Sequence, residues 1–379
     1  MATERAGAVL SSGLAAAMED ALFQARQFGH FIADELRPFP GRDWAAIRLV
    51  TAAVITVIVS ETLRIPFPAF SAYLIFFVAS DDGVSSIKLG VAAMLGVTVA
   101  LAASMVMSIC FMDVPWFRLP VTLCLIAGAI WLSRTLVLAV MGRLLAVILA
   151  LYLSLADSIF EPETLTESTL WLWSVAGVAI GITILVNLVF ALVRPTASPL
   201  RKNELPKGFL VPDAFGNPEY AQFTAKTLLA IVACEVFMNA VAWPGIRTSM
   251  ITCVVTALAN LQARRQKQSL RFLGAGLGGL AGLAAIIFLV PHMDSIVGLS
   301  LLVAVATFLF AWVAVGSQRI SYAGFQMALA FYIMLLPGFD TSIDLTSIRD
   351  RFVGIIVGIT AMWIFFDHLG PSSPSTAQA

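Results

Sequence analysis

Residues 48–79 read RLVTAAVITVIVSETLRIPFPAFSAYLIFFVA, and residues 226–257 read KTLLAIVACEVFMNAVAWPGIRTSMITCVVTA. Each stretch is an apolar run headed by a base, broken past its middle by proline, and resumed as a shorter apolar run. About 20 apolar residues cross a bilayer, so the first run of each pair predicts a full span and the second a short one. The two stretches also match one another. Arg48 with Lys226, Pro66 with Pro244, Ser71 with Ser249 and Ala79 with Ala257 all stand 178 residues apart. Further on, GVAIGIT from Gly177 matches GIIVGIT from Gly354 at an offset of 177. A nearly constant offset across so many residues points to a duplicated unit.

Reading outward gives about 12 transmembrane helices in two groups of six. The first group is 45–63, 68–79, 87–111, 117–132, 135–156 and 169–193. The second is 221–242, 248–260, 272–290, 295–315, 320–336 and 352–366. The whole chain of 379 residues agrees: 59% is hydrophobic, 12% is charged and the mean hydropathy is +0.92. A soluble domain is about 25% charged, so a disordered chain and a soluble enzyme are excluded. Equal numbers of bases and acids, 23 each, exclude a basic nucleic-acid binder. Cys110, Cys124, Cys234 and Cys253 all lie in apolar runs, where a thiol acts as a small hydrophobe. The fold class is an all-α polytopic membrane protein. Because each group holds an even number of spans, both enter from the same side, which predicts two parallel six-helix repeats with a pathway between them.

The expected organisation is a cytoplasmic N-terminal segment (1–43), the first repeat (44–193), a proline-rich cytoplasmic linker (194–220), the second repeat (221–367) and a cytoplasmic tail (368–379). With the N-terminus inside, only Arg64, Arg118, Arg247, Arg349 and Arg351 of the 23 bases fall outside, as the positive-inside rule requires. The outer loop 157–168 has four carboxylates and no base. Trp44, Trp116, Trp131, Trp171, Trp173, Trp243, Trp312 and Trp363 lie near proposed helix ends, where the indole prefers the headgroup level. The first residues do not form a signal peptide, since Ser11, Ser12 and Gly13 interrupt the apolar stretch. Leu14, Met18, Ala21, Ala25, Phe28 and Ile32 instead share one helical face, predicting an N-terminal amphipathic helix at the cytoplasmic surface.

Motifs for enzymatic chemistry are wanting. Gly274-Ala-Gly276-Leu-Gly278-Gly279 fits the dinucleotide pattern literally, but it lies inside a span, where small residues serve close helix packing. Gly177/Gly181 and Gly354/Gly358 take the same reading. His30, His292 and His368 are far apart and have no partner at metal-ligand spacing, so no metal and no cofactor is expected.

The informative residues are polar ones at membrane depth, where a charge is costly and faces a cavity or a partner. Glu235 lies deep in its span and suits a proton carrier; a purely structural hydrogen bond is its other reading. Arg247 follows the helix-breaking Trp243-Pro244-Gly245, where the next helix N-terminus favours an anion. Arg64, before Pro66 and Pro68, marks a similar corner. Arg48 and Lys226 hold matched positions at the cytoplasmic end, as substrate-attracting bases or as topology anchors. Asn187, Gln326 and Tyr332 complete the candidate translocation set. Asp81, Asp82, the run 263–271 and Arg319 read as solvated loop residues, and Arg349, Asp350 and Arg351 as an outer-rim cluster.

Six spans, a linker and six more, with WPGIRTSMITCVVTALAN from Trp243 and RISYAGFQMALAFY from Arg319, resemble the fusaric-acid-resistance (FUSC) family over residues 44–367. The resemblance implies a bacterial inner-membrane subunit exporting aromatic carboxylic acids or related organic anions and drugs, driven by protons. It also implies a periplasmic adaptor of the membrane-fusion type and an outer-membrane channel as partners, and allows a homo-oligomer. Longer members carry soluble domains after each helical block, where this chain has a short linker and tail. A passive organic-anion channel and a non-transporting scaffold subunit are the alternatives. A major-facilitator transporter is disfavoured, because the loop DDGVSSIKLG lacks the Asp-Arg-x-Gly-Arg pattern expected there.

Overall fold

The computed structural model of the chain describes residues 27, 29, 31–78, 83–111, 114–156, 159, 161–193, 208–258, 266–317, 320–336 and 345–368. Among these residues the fold is all-helical. The helices are α1 (Arg42–Thr62), α2 (Pro68–Val78), α3 (Gly83–Phe111), α4 (Pro115–Thr135), α5 (Ala139–Ala156) and α6 (Pro162–Val193). They continue with α7 (Pro218–Ala240), α8 (Thr248–Leu258), α9 (Gln266–Ala284), α10 (Ile296–Ala314), α11 (Ser321–Leu335) and α12 (Leu345–His368). Each expected span coincides with one of them. Eight are long and apolar enough to cross a membrane.

Several boundaries differ from expectation. Seven residues assigned to the loop before the sixth span belong to α6, which starts on Pro162 with Glu163 in its first turn. A proline at the first position loses no hydrogen bond, and an acid there complements the helix dipole. Trp171 and Trp173 therefore lie several turns into a helix, and the Trp173 indole donates to the Thr98 hydroxyl (3.3 Å). The linker is not a free connector at its far end: Val137 N–H donates to the Phe209 carbonyl (3.1 Å) and Val211 N–H to that of Thr135 (2.8 Å). Asn217 then caps α7 through Glu219 N–H (3.0 Å). The predicted amphipathic helix falls largely outside the described residues.

Among the described side chains, α2, α5, α8 and α11 carry none of the large exposed hydrophobic ones, whereas α1, α3, α6, α7, α9 and α10 present rows of them. Helices apolar all round belong in an interior, so these four form the core and the rest ring it. The principal packed pairs of the first six helices recur in the second six. α3 packs on α5 and α6 as α9 packs on α11 and α12; α1 packs on α2 and α6 as α7 packs on α8 and α12. Between the two blocks the exchange holds as well: α1 meets α10 as α7 meets α4, and α5 meets α8 as α11 meets α2. Small residues set these approaches. A side chain on Gly274 or Gly278 would strike the Ala323 or Met327 carbonyl of α11, and one on Gly96 the Met141 carbonyl of α5.

The turns that end α1 and α7 are built alike. Ile65 N–H donates to the Ser60 carbonyl (2.8 Å) and Trp243 N–H to that of Met238 (3.1 Å). Arg64 N–H reaches the Glu61 carbonyl (3.4 Å) and Ala242 N–H that of Asn239 (3.2 Å). This is the Schellman closure, whose key residue is left-handed and favours glycine. Here Arg64 and Ala242 hold it, both at φ 50°. An L-residue in that conformation is strained by about 1–2 kcal/mol. Arg64→Gly and Ala242→Gly are each expected to stabilise the protein by about 0.5–1 kcal/mol. Thermal unfolding in detergent measures this, and a lower midpoint for both would remove the strain from these corners.

Candidate functional site in the seam

The N-terminal ends of α2, α6, α8 and α12 and the C-terminal ends of α5 and α11 meet around a cavity of about 140 Å³. This corner end of the molecule thus gathers equivalent ends of both blocks. The wall is largely apolar, with Phe67, Phe70, Leu151, Leu172, Ile251, Leu329 and Ile333. Its polar lining residues are Ser154, Thr248, Thr252 and Arg351. A dry cavity of about 150 Å³ holds one benzene, so the space suits a single ring, and the lone cation suits one anionic substituent.

Arg351 is held from both sides. Its Nη1 donates to the Ile333 carbonyl in the last turn of α11 (3.0 Å), and the Thr248 hydroxyl donates to the Arg351 carbonyl (3.2 Å). A cation at a helix C-terminus meets the negative end of the dipole. The residues before it complete the corner. Asp350 accepts from Arg349 (Nη2 to Oδ1 2.8 Å), and the Arg349 guanidinium lies 5.3 Å over the Trp243 ring. The Asp350 carboxylate lies where a Gly245 side chain would be, so the bend needs a glycine there.

α8 is held against α12 by glycines. A Cβ on Gly354 would strike the Thr248 hydroxyl, and one on Gly358 would come within 2.5 Å of the Ser249 carbonyl. The matching pair in the first block does not pack this way: Gly177 has only a methionine methyl at 3.9 Å, and Gly181 is open. Counted at the 178-residue offset, the partners of Gly354 and Gly358 are Ala176 and Ile180, both buried. The sequence match of the two glycine pairs is thus one residue out of register with the packing.

Deeper in the seam lies a polar junction. The Tyr322 hydroxyl donates to the Thr256 carbonyl (3.4 Å) and accepts from Gln326 Nε2. Gln326 is buried on α11, and Tyr73 is buried on α2. Neither Gln326 Oε1 nor Thr256 Oγ1 has a hydrogen-bond partner among the described residues.

Of the expected site residues, Gln326 reaches the seam. Arg247 closes the turn Pro244–Arg247 immediately before α8 but does not line the cavity, and Arg64 is exposed at the other corner. At the 178-residue offset Arg64 pairs with Ala242, so the two bases are not equivalent. Arg48 is buried in α1, and Lys226 lies 5.8 Å from the Phe366 ring; both belong to the opposite, linker end. Asn187 is buried in α6, and Tyr332 shares a hydrogen bond with Thr307 of α10 (2.6 Å) within the second block. Glu235 is half-buried on the flank of α7, where Oε1 accepts from the Asn239 amide (2.9 Å). The bases therefore do not converge on one site.

Two arginines were not distinguished by sequence. Arg351, read as a rim residue, lines the cavity. Arg42 is fully buried and closes the linker end: it donates to the Trp312 carbonyl through Nε (2.9 Å) and to the Glu35 and Arg37 carbonyls through Nη1 (3.0 and 2.8 Å). Its guanidinium lies 4.8 Å over the Trp312 ring. At the equivalent contact between α7 and α4 the Arg134 guanidinium stacks on Phe223 (4.1 Å), so base and aromatic ring have exchanged sides.

Residues 229–365 match the sequence profile of the family described as fusaric acid resistance protein-like, so most of the second block carries that family's pattern. The multidrug resistance protein MdtO of Escherichia coli (strain K12) is 40% identical over 162 residues, 42% of this chain and 24% of that protein. MdtO of Shigella flexneri is 40% identical over 165 residues, 43% of this chain and 24% of that protein. The matched stretch thus spans about a quarter of these relatives' length. No solved structure matches.

Gly358→Val is expected to push α12 off α8 and destabilise the protein by about 1–3 kcal/mol, the usual range for overpacking. Gly181→Val, on an open face, should change stability by under about 0.5 kcal/mol. Chemical or thermal unfolding of the two variants checks the contrast; equal losses would refute the register.

Proposed function

We propose that this chain is a bacterial inner-membrane efflux subunit. In this reading twelve membrane spans form two parallel six-helix repeats with both termini in the cytoplasm, and the seam between them carries organic anions, aromatic carboxylates among them. The observation that carries it is a one-ring apolar cavity at the meeting of the blocks with Arg351 as its cation. The recurrence of helix pairs across the blocks supports the duplication. The match to the fusaric acid resistance-like profile supports efflux, and the similarity to multidrug resistance proteins extends it to drugs. Under this topology the cavity faces the periplasm, where a membrane-fusion adaptor and an outer-membrane channel would receive the solute. Arg247 and Arg64 stand at the same end and add positive potential at the mouth, which concentrates anions. Protons drive the transport, with Glu235 the carboxylate that takes them up.

Proteoliposomes loaded with radiolabelled benzoate test the proposal under an imposed pH gradient. Arg351→Gln is expected to weaken benzoate binding about tenfold or more, as loss of a charged hydrogen-bond partner does, while a neutral aromatic solute is unaffected. Equal affinity of the wild type and Arg351→Gln for benzoate would remove the cavity from the pathway. Glu235→Gln is expected to leave binding intact and abolish the dependence of flux on the gradient. Unchanged gradient dependence would take the proton role from Glu235, and flux far above carrier turnover without a gradient would favour the channel.

A further inference from the structure

Thr248, Thr252 and Thr256 stand four residues apart on α8, which places their hydroxyls along one face of the helix. Thr248 and Thr252 line the Arg351 cavity. The Thr256 backbone receives the Tyr322 hydroxyl, which in turn accepts from Gln326. Thr252, Thr256 and Gln326 are buried, at 2%, 0% and 1% exposure, and Thr248 is half-buried. A buried hydroxyl or amide costs free energy unless something satisfies it, yet Thr256 Oγ1 and Gln326 Oε1 have no protein partner among the described residues. Water molecules or a passing polar solute would complete both. The equivalent face of α2 has no such hydroxyls: at the 178-residue offset the three threonines are replaced by Phe70, Leu74 and Val78, and Gln326 by Ile148.

We propose that the solute path is one-sided. It leaves the Arg351 cavity along the threonine face of α8 and reaches a second polar station at Gln326 and Tyr322, while the equivalent face of α2 is a dry wall. The ligand of this station is the hydrated polar head of an organic anion in transit, met by the Gln326 amide and by water held on Thr256. The scaffold is thus symmetric in packing and unequal in function, the first block supporting and the second conducting. This inference rests on the cavity reading above.

Single cysteines placed in a background with Cys110, Cys124, Cys234 and Cys253 replaced by alanine report on the path. The probe is a membrane-impermeant sulfonate-bearing methanethiosulfonate, with benzoate as protectant. Thr248→Cys, Thr252→Cys, Thr256→Cys and Gln326→Cys are expected to react and to be protected, whereas Leu74→Cys and Val78→Cys stay unmodified. In the native-cysteine chain, Gln326→Leu should slow benzoate flux at least tenfold without altering benzoate affinity or the unfolding midpoint. If Thr248→Cys reacts but Thr256→Cys and Gln326→Cys do not, or if Gln326→Leu transports normally, the lane is wrong and the cavity stands. Equal labelling of Leu74→Cys and Val78→Cys would overturn the one-sidedness. A silent Thr248→Cys, together with benzoate affinity indifferent to Arg351→Gln, would take down the cavity reading itself.

Discussion

Close approach of helix backbones at small residues is the constraint from which the rest of this structure follows. Lipid offers apolar helices as good a surroundings as another helix does, so association must come from packing and polar contacts. Gly274 and Gly278 let α9 ride on the carbonyls of α11, and Gly354 and Gly358 let α12 ride on α8. Those contacts press the four core helices inward and leave the ring helices to face outward with their exposed leucines, isoleucines and valines. Where core helices start late, at the two proline corners, the backbone must close its own hydrogen bonds, and it does so with the same turn at Arg64 and Ala242.

Buried charge is managed by helix ends. Arg42 lies on the last carbonyls of α10 and Arg351 on those of α11, so each guanidinium satisfies a helix C-terminus of another element. Arg42 fixes the N-terminal segment to the second block at one end of the molecule; Arg351 borders the cavity at the other. The same device therefore serves as a clasp in one place and borders a cavity in the other. What differs is the surroundings of the cation: Arg42 donates to the Trp312, Glu35 and Arg37 carbonyls and has two aromatic rings against it, while Arg351 donates to the Ile333 carbonyl and borders a cavity.

The equivalence of the blocks does not extend to their chemistry. Positions related by the offset keep their place in the packing but not their polarity, as Thr252 and Leu74 or Gln326 and Ile148 illustrate. Packing requires only that a shape recur, so the face of α8 can carry hydroxyls where the matching face of α2 is apolar. Even the cation–aromatic contacts obey this: Arg42 on Trp312 and Arg134 on Phe223 join equivalent helices with the partners reversed.

Hydrophobic runs and proline breaks alone located α1 to α12 among the described residues, because each is apolar over much of its length and a proline interrupts a helix. The shortness of α2 and α8 and the role of glycines in α9 were legible for the same reason. Side-chain direction was not. Arg247 and Arg351 both sit at helix starts near one end of the bundle, and only the rotation of α12 about its axis turns Arg351 to the cavity. The glycine pairs near Gly177 and Gly354 look alike in sequence, yet one packs and the other is open, since a shift of one residue rotates a helix face by about 100°. Linear order determined which segments are helical and where they break; the packing of those segments decided which polar groups share a space.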